Sequence, residues 1–293
     1  MPGIRTAILA LFALAAVVYA ALWVRFAARD KAAGQGDFRL PTPLHVAIGF
    51  VTNFFDTLGI GSFATTTTIF TWLKLVPPER TPPTMLAGHT LPVVAQALLF
   101  LTIVDVDPVV LVVLNLALLA GGWVGARVVT RLPRRPIQVA MAVALIAAGI
   151  FMALGQLKVL GELKGTALTL TGPQLLVGSI VNALLGAAIM FGVGNYGPSL
   201  VLFSLLGMDP RAAFPIMMSA GAFVGPVGSV QFMQAGRVDH RIALGLMIGG
   251  IPAVLVAALL VKSLPLDILR WLIVGVVTYT AITLLNPVKP ASA

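Results

Sequence analysis

The sequence predicts an all-α polytopic membrane protein: two inverted repeats, each opening on a broken or re-entrant helix hairpin, plus one extra N-terminal transmembrane helix. Three observations predict it. Of 293 residues, 59% are hydrophobic and 10% charged, where a soluble domain has about 25% charged residues. The apolar stretches recur in the same order twice, counted from Leu44 and from Gln174. In each copy the leading stretch is interrupted by glycines, at Gly59-Ile60-Gly61-Ser62 and at Gly192-Val193-Gly194-Asn195. A duplicated membrane unit with matching breaks points to a secondary transporter whose binding site lies between the halves.

The N-terminal run from Ile4 to Phe26 has Arg5 before it and Arg25, Arg29, Lys31 and Arg39 after it. A cleaved signal has a shorter apolar core and more positive charge in front, so the run reads as a retained helix ending in the cytoplasm. Residues 1–43 are this helix and a linker, outside the repeat. The first repeat covers 44–156, with segments at 44–73, 84–103, 108–130 and 136–155. A linker at 157–173 leads to the second repeat at 174–286, with segments at 174–206, 211–234, 240–262 and 266–285, and a tail at 287–293. Prolines and charges set the boundaries: Pro77-Pro78, Pro82-Pro83, Asp105 to Pro108, Pro133 to Pro136, Asp209-Pro210 and Pro265. At an offset near 132, Gly61 falls on Gly194, Phe70 on Phe203, Asp107 on Asp239 and Pro133 on Pro265.

Each leading segment is too long for one crossing. Leu44 to Leu73 would make about 45 Å of helix against a hydrocarbon core of about 30 Å. Two half-helices folded back as a hairpin fit better, and the charges agree. With single crossings the 19 Lys and Arg divide 9 to 10 between the two sides. With hairpins they divide 13 to 6, the richer side holding the basic residues at 25–39, 74–80, 127–135, 237, 241 and 289. The cytoplasmic excess of Lys and Arg favours the hairpins. Each half then has an odd number of passes, so the halves are inverted. The location implied is the inner (plasma) membrane, with the lipid bilayer as the surrounding partner.

Of ten acidic residues, Asp56 alone lies inside an apolar segment. An intramembrane carboxylate needs a partner or a proton, so Asp56 is a candidate for proton coupling. The alternative is a cap on the half-helix that starts near Gly59. His89, in Gly88-His89-Thr90-Leu91-Pro92, could pair with Asp56 and titrate, or bond a backbone carbonyl at a helix end. Gln96 could line the same cavity or join helices. The breaks carry the case for a small anionic substrate: a half-helix starting inside the membrane presents free N–H groups and a positive dipole end, which bind oxyanions without an arginine. The substrate-binding candidates are Asn53, Gly59, Gly61, Ser62, Thr65, Gly192, Gly194, Asn195 and Ser199. Thr66 to Thr68 read as helix packing. Gly121-Gly122-Trp123-Val124-Gly125 and Gly245 to Gly249 read as close helix contacts, within the chain or in a homodimer.

Several classes are excluded or disfavoured. The net charge of +9 lies in loops rather than on a folded basic face, which gives no nucleic-acid partner. There are no cysteines, and no metal-binding, nucleotide-binding or nucleophile motif, so neither catalytic residues nor a cofactor is expected. A passive channel needs a continuous wet pore, and the polar residues inside the segments are few.

The residues Gly49 to Ser62, Gly88-His89-Thr90 with Pro92, Gly121-Gly122 to Arg127, and Gly192 to Pro198 resemble the TauE/SafE family of sulfite exporter-like membrane proteins, over about residues 44–285. Family members are similar in having a glycine-rich break at the start of each half. Many carry a denser glycine run where Ser62 and Phe63 stand here. The resemblance implies transport of sulfite, thiosulfate, sulfonates or other small organic anions; the proton coupling is read from Asp56 and His89. A small carboxylate would suit the same N–H cradle.

Overall fold

Proline, threonine and aspartate set the helix starts where the sequence places them. The structure, a computed structural model, describes residues 2–58, 60–103, 106–157, 159, 166–260, 278 and 282. Ten helices are described: α1 (Pro2–Ala32), α2 (Pro43–Thr57), α3 (Ser62–Trp72), α4 (Thr81–Ile103), α5 (Pro108–Val129), α6 (Arg134–Gln156), α7 (Gly172–Ile189), α8 (Tyr196–Leu205), α9 (Pro210–Gln234) and α10 (His240–Leu260). Among the described residues there is no strand. Six of these helices contain a stretch long and apolar enough to cross a membrane: α1, α4, α5, α7, α9 and α10. The predicted segment at 266–285 lies outside the described residues apart from Thr278 and Ile282, as do the tail at 287–293 and Gly59.

Local chemistry explains the starts. The Thr42 hydroxyl accepts from the His45 N–H at 3.3 Å, and His45 Nδ1 accepts from the Thr42 N–H at 3.4 Å. This is a reciprocal cap with histidine in the place usually held by glutamate, and Pro43 fills the first position, where no N–H is needed. Asp107 accepts from Val109 and Val110 at the start of α5. Asp239 accepts from Ile242 at the start of α10. The first helix outlasts its apolar run to Phe26, because α1 continues through Ala32.

Both leading segments are broken. In the first, α2 and α3 are separated by residues 58–61, and Gly61 takes φ +90°, a conformation that L side chains rarely adopt. In the second, α7 stops at Ile189, the chain turns through Gly192 at φ +90°, and α8 begins at Tyr196.

Glycines place the broken helices. A Cβ on Gly121 would overlap the Ala183 carbonyl, and one on Gly125 would lie 2.7 Å from Ala187 Cα, so α5 and α7 touch backbone to backbone. A Cβ on Gly249 would overlap the Val46 carbonyl, and one on Gly49 would lie 2.6 Å from Leu246 Cα, which does the same for α10 and α2. Lipid is as apolar as leucine, so such contacts gain from close packing rather than from burial away from water. These glycine runs therefore pack within the chain. The pairings are reciprocal: α2 lies on α10 as α7 lies on α5, and α4 on α10 as α9 on α5, while α4 and α9 lie on each other. Phe70 and Phe203, which the sequence offset aligns, are both fully buried. Polar side chains add links between helices: Asn115 Nδ2 donates to Ser219 Oγ at 2.9 Å and Asn182 Nδ2 to the Leu114 carbonyl at 2.7 Å.

The loops gather at two ends. At one, Arg241 pairs with Asp37 at 2.8 Å, the Asp239 N–H donates to Thr84 Oγ1, and Arg237 donates to the Thr130 carbonyl. At the other, the Thr169 hydroxyl donates to Asp107, the Ala167 N–H donates to Gly207 O, and the Asp209 N–H donates to Ala167 O.

The N-terminal helix is tied into the bundle. Phe12 meets Phe223 edge-on at 5.1 Å. The Tyr19 hydroxyl donates to the Ala87 carbonyl at 2.9 Å. At its C-terminal end, Asp30 accepts from Arg29 and pairs with buried His240 at 3.0 Å.

Candidate functional site

Each glycine break lets a half-helix begin inside the bundle, and both beginnings face one cavity. It is bordered by Asp56 of α2, by Gly61, Ser62 and Phe63 at the start of α3, by Leu86, His89, Thr90 and Val93 of α4, by Val193 to Tyr196 at the start of α8, and by Gly221, Val224 and Gly225 of α9. The space open to the centre of a water molecule is about 40 Å³, a few times the roughly 10–15 Å³ that one water requires. A Cβ on Gly61 or on Gly194 would meet nothing within 4 Å, so the bare backbone at these two positions borders open space.

The polar groups are fixed from three directions. Asp56 is 4% exposed. One oxygen accepts from the Ser62 N–H at 2.5 Å, and the other from the Tyr196 hydroxyl at 3.0 Å. The predicted cap on the half-helix is thus present: Asp56 satisfies the first N–H of α3. Tyr196 also reaches Gln96 Oε1 at 2.9 Å, so one hydroxyl links α2, α4 and α8.

His89 does not pair with Asp56. Its Nδ1 lies 3.1 Å from Asn53 Oδ1 and its Nε2 lies 3.0 Å from Thr66 Oγ1. Asn53 gives its own amide hydrogen to the Gly49 carbonyl at 2.7 Å, so its oxygen is the acceptor. Nδ1 therefore carries the hydrogen and donates to Asn53, while Nε2 shares a hydrogen bond with the Thr66 hydroxyl, so both nitrogens are engaged.

Of the other expected residues, Gly61, Ser62, Gly194 and Asn195 are brought together around the cavity, and Asn195 Nδ2 is buried without a hydrogen-bond partner. Asn53 stands behind His89. Thr65 turns its hydroxyl back to the Ser62 carbonyl at 2.9 Å. Gly192 lies in the turn between α7 and α8 rather than bordering the space. Ser199, buried and with Oγ unpartnered, lies a turn inside α8. Gly59 lies outside the described residues. Sequence reasoning missed Tyr196 and the α9 wall. A buried tyrosine hydroxyl needs a partner, and one of only three tyrosines directly after the second break was the available signal.

The family model described as Sulfite exporter TauE/SafE matches residues 2–152, just over half of the 293-residue chain. The chain belongs to the TauE/SafE family. The match starts within α1 and ends within α6, so it takes in the first helix, which the sequence resemblance had left outside. No curated protein and no solved structure matches the chain. TauE/SafE proteins are transporters rather than enzymes, and this TauE/SafE protein is a multi-pass membrane protein of that kind.

Proposed function

We propose that this TauE/SafE protein is a proton-coupled secondary transporter of small anions in the inner membrane. Its substrates are sulfur oxyanions such as sulfite or thiosulfate, or organosulfonates. The observation that carries the reading is the shared cavity: Gly61 and Ser62 from one half, Gly194 and Asn195 from the other, border one space. Helix starts converging there supply N–H groups and partial positive charge to an anion. The family name, sulfite exporter, supports the same class. The small volume favours a compact oxyanion.

The reading includes two inverted halves with re-entrant leading segments. It is supported by Ala167, just before α7, bonding to Gly207 and Asp209, just after α8. A segment that crossed once would have these residues at opposite ends of the bundle. The reciprocal contacts of the two halves support it as well.

Thermal unfolding of the purified protein with sulfite, thiosulfate, sulfate, sulfoacetate, taurine and lactate tests the substrate class. A ligand at 100 times its Kd stabilises by about 2.7 kcal/mol. Stabilisation by lactate alone would replace the sulfur anions with a carboxylate, and none by any of the six would remove the reading.

A further inference from the structure

We propose that Asp56 is a tethered competitor for the transported anion: its carboxylate holds the start of α3, and an anion takes that place only when Asp56 gains a proton and lets go. This rests on the anion-transport reading of the cavity and states how the proton is coupled.

The carboxylate already sits where an anion would bind. Asp56 Oδ1 is 2.5 Å from the Ser62 N–H, the first N–H of a helix of 11 residues. An ionised carboxylate at a helix start is held by the dipole and by a charge-assisted hydrogen bond. An incoming anion needs the same donors and meets a fixed negative charge beside them. Like charges that close in a poorly screened interior repel strongly. Among the described residues, no Lys or Arg borders the cavity to compensate. Protonation of Asp56 removes the repulsion and weakens its hold on Ser62, so the start of α3 becomes available.

The second break lacks this device. At the offset that aligns Gly61 with Gly194, Asp56 falls on Ile189 and Ser62 on Asn195. Ile189 borders the same cavity, and Asn195 Nδ2 has no partner. One side of the site thus presents donors without a competing carboxylate, while the other is gated by one proton.

The proton also has a place to go. Tyr196 has a single hydroxyl hydrogen and two acceptors, Asp56 Oδ2 at 3.0 Å and Gln96 Oε1 at 2.9 Å. With Asp56 ionised, Tyr196 donates to it. With Asp56 protonated, the acid donates to the Tyr196 oxygen, and Tyr196 turns its hydrogen to Gln96. No buried oxygen of the three is left without a hydrogen in the protonated state. Among the described residues, the titratable groups facing Asp56 across the cavity are His89 from α4 and Tyr196 from α8. Both nitrogens of His89 are occupied, and α9 contributes Gly221, Val224 and Gly225, none of which titrates.

The test is the pH dependence of binding by thiosulfate and by sulfate, whose own charges do not change over the range used. Isothermal titration is run on the wild type and on Asp56→Asn between about pH 5 and pH 8. For the wild type, affinity is highest at low pH and falls toward tenfold per pH unit above the titration of Asp56, with one proton taken up per anion. For Asp56→Asn, affinity is independent of pH and exceeds that of the wild type at pH 8. Wild-type affinity that stays flat across the range with no proton uptake, or a slope retained by Asp56→Asn, overturns the competition while leaving the anion site in place. Absence of binding of either anion to both proteins, each with a normal unfolding transition, removes the anion site itself and the competition with it.

Discussion

Replacing Gly194 by alanine separates the cavity from the scaffold. The residue borders the cavity, its φ lies outside the region that excludes side chains, and an added Cβ meets no atom within 4 Å. The methyl group therefore has room in the protein and projects into the space proposed for the anion. That space, about 40 Å³, corresponds to a sphere of only about 2 Å radius, whereas a methyl carbon holds other heavy atoms at about 3.5–4 Å. Thiosulfate affinity should fall at least tenfold, about 1.4 kcal/mol, while stability stays within about 0.5 kcal/mol. Gly121→Ala is the counterpart. Its Cβ overlaps the Ala183 carbonyl, so α5 and α7 must separate, at about 1–3 kcal/mol of stability. Titration calorimetry for binding and thermal unfolding in detergent for stability read both variants. Wild-type thiosulfate affinity in a folded Gly194→Ala protein would refute the placement of the anion between the breaks.

Further outcomes are expected. Single cysteines at Leu44 and Leu73, both about half exposed, should be labelled by an impermeant maleimide from the same side of the membrane; labelling from opposite sides excludes a re-entrant first segment. Tyr196→Phe removes the hydroxyl shared by Asp56 and Gln96 and should lower stability by about 1–3 kcal/mol, read as a lower midpoint in thermal unfolding; an unchanged midpoint would mean the bridge is energetically idle. Asp107→Ala should cost about 1 kcal/mol as a lost cap. The Thr169 hydroxyl first, and then the Val109 and Val110 N–H groups, hold the Asp107 carboxyl below its ordinary range. The stabilisation from its ionised form is therefore present above the unfolded-state carboxylate pKa and lost as pH falls through the lower folded value. Near neutral pH the variant and wild type should differ most, and at strongly acidic pH the difference should shrink; a constant difference contradicts the assignment.

The helices were legible because membrane segments announce themselves by apolar length and because Pro43, Pro108 and Asp107 are placed where caps work. Both breaks were legible for a different reason: 30 residues are too many for one crossing, and the glycines stand mid-segment. The wall of the site was not. Tyr196 and Gly225 come from helices far apart in sequence, and no local pattern states which faces will meet. His89 illustrates the difficulty. The charge logic of a membrane interior offered it Asp56 as a partner, but an imidazole is satisfied equally well by Asn53 and Thr66, and packing chose those. Thr65 and Ser199 failed to join the cavity because a hydroxyl near a helix start can bond or bury locally, as Thr65 does with Ser62. The end of α1 was underestimated since its last turn is charged, and the reason it stays helical is distant: Asp30 meets His240.

The glycine contacts also constrain how the cavity can open. They join α2 to α10 and α5 to α7, across the two halves proposed for the chain, with backbones so close that a single added carbon would collide. Packed surfaces of this kind slide or hinge as units and do not deform continuously. Motion of one half as a rigid body against the other would have to break both seams at once. It would also shear α1, which is bonded to Ala87 of α4 and, through Asp30, to His240 of α10. The two short helices are held differently. α3 meets α4 through side chains, including Thr66 to His89 and Thr67 to Met85, and the start of α8 is joined to α2 and α4 by the Tyr196 hydroxyl. A change at Asp56 acts on both of these starts, through Ser62 and through Tyr196. Under the proposed competition, the groups that sense the proton are the same groups that hold the half-helices in place, and the seams between α2 and α10 and between α5 and α7 give them a fixed frame to move against.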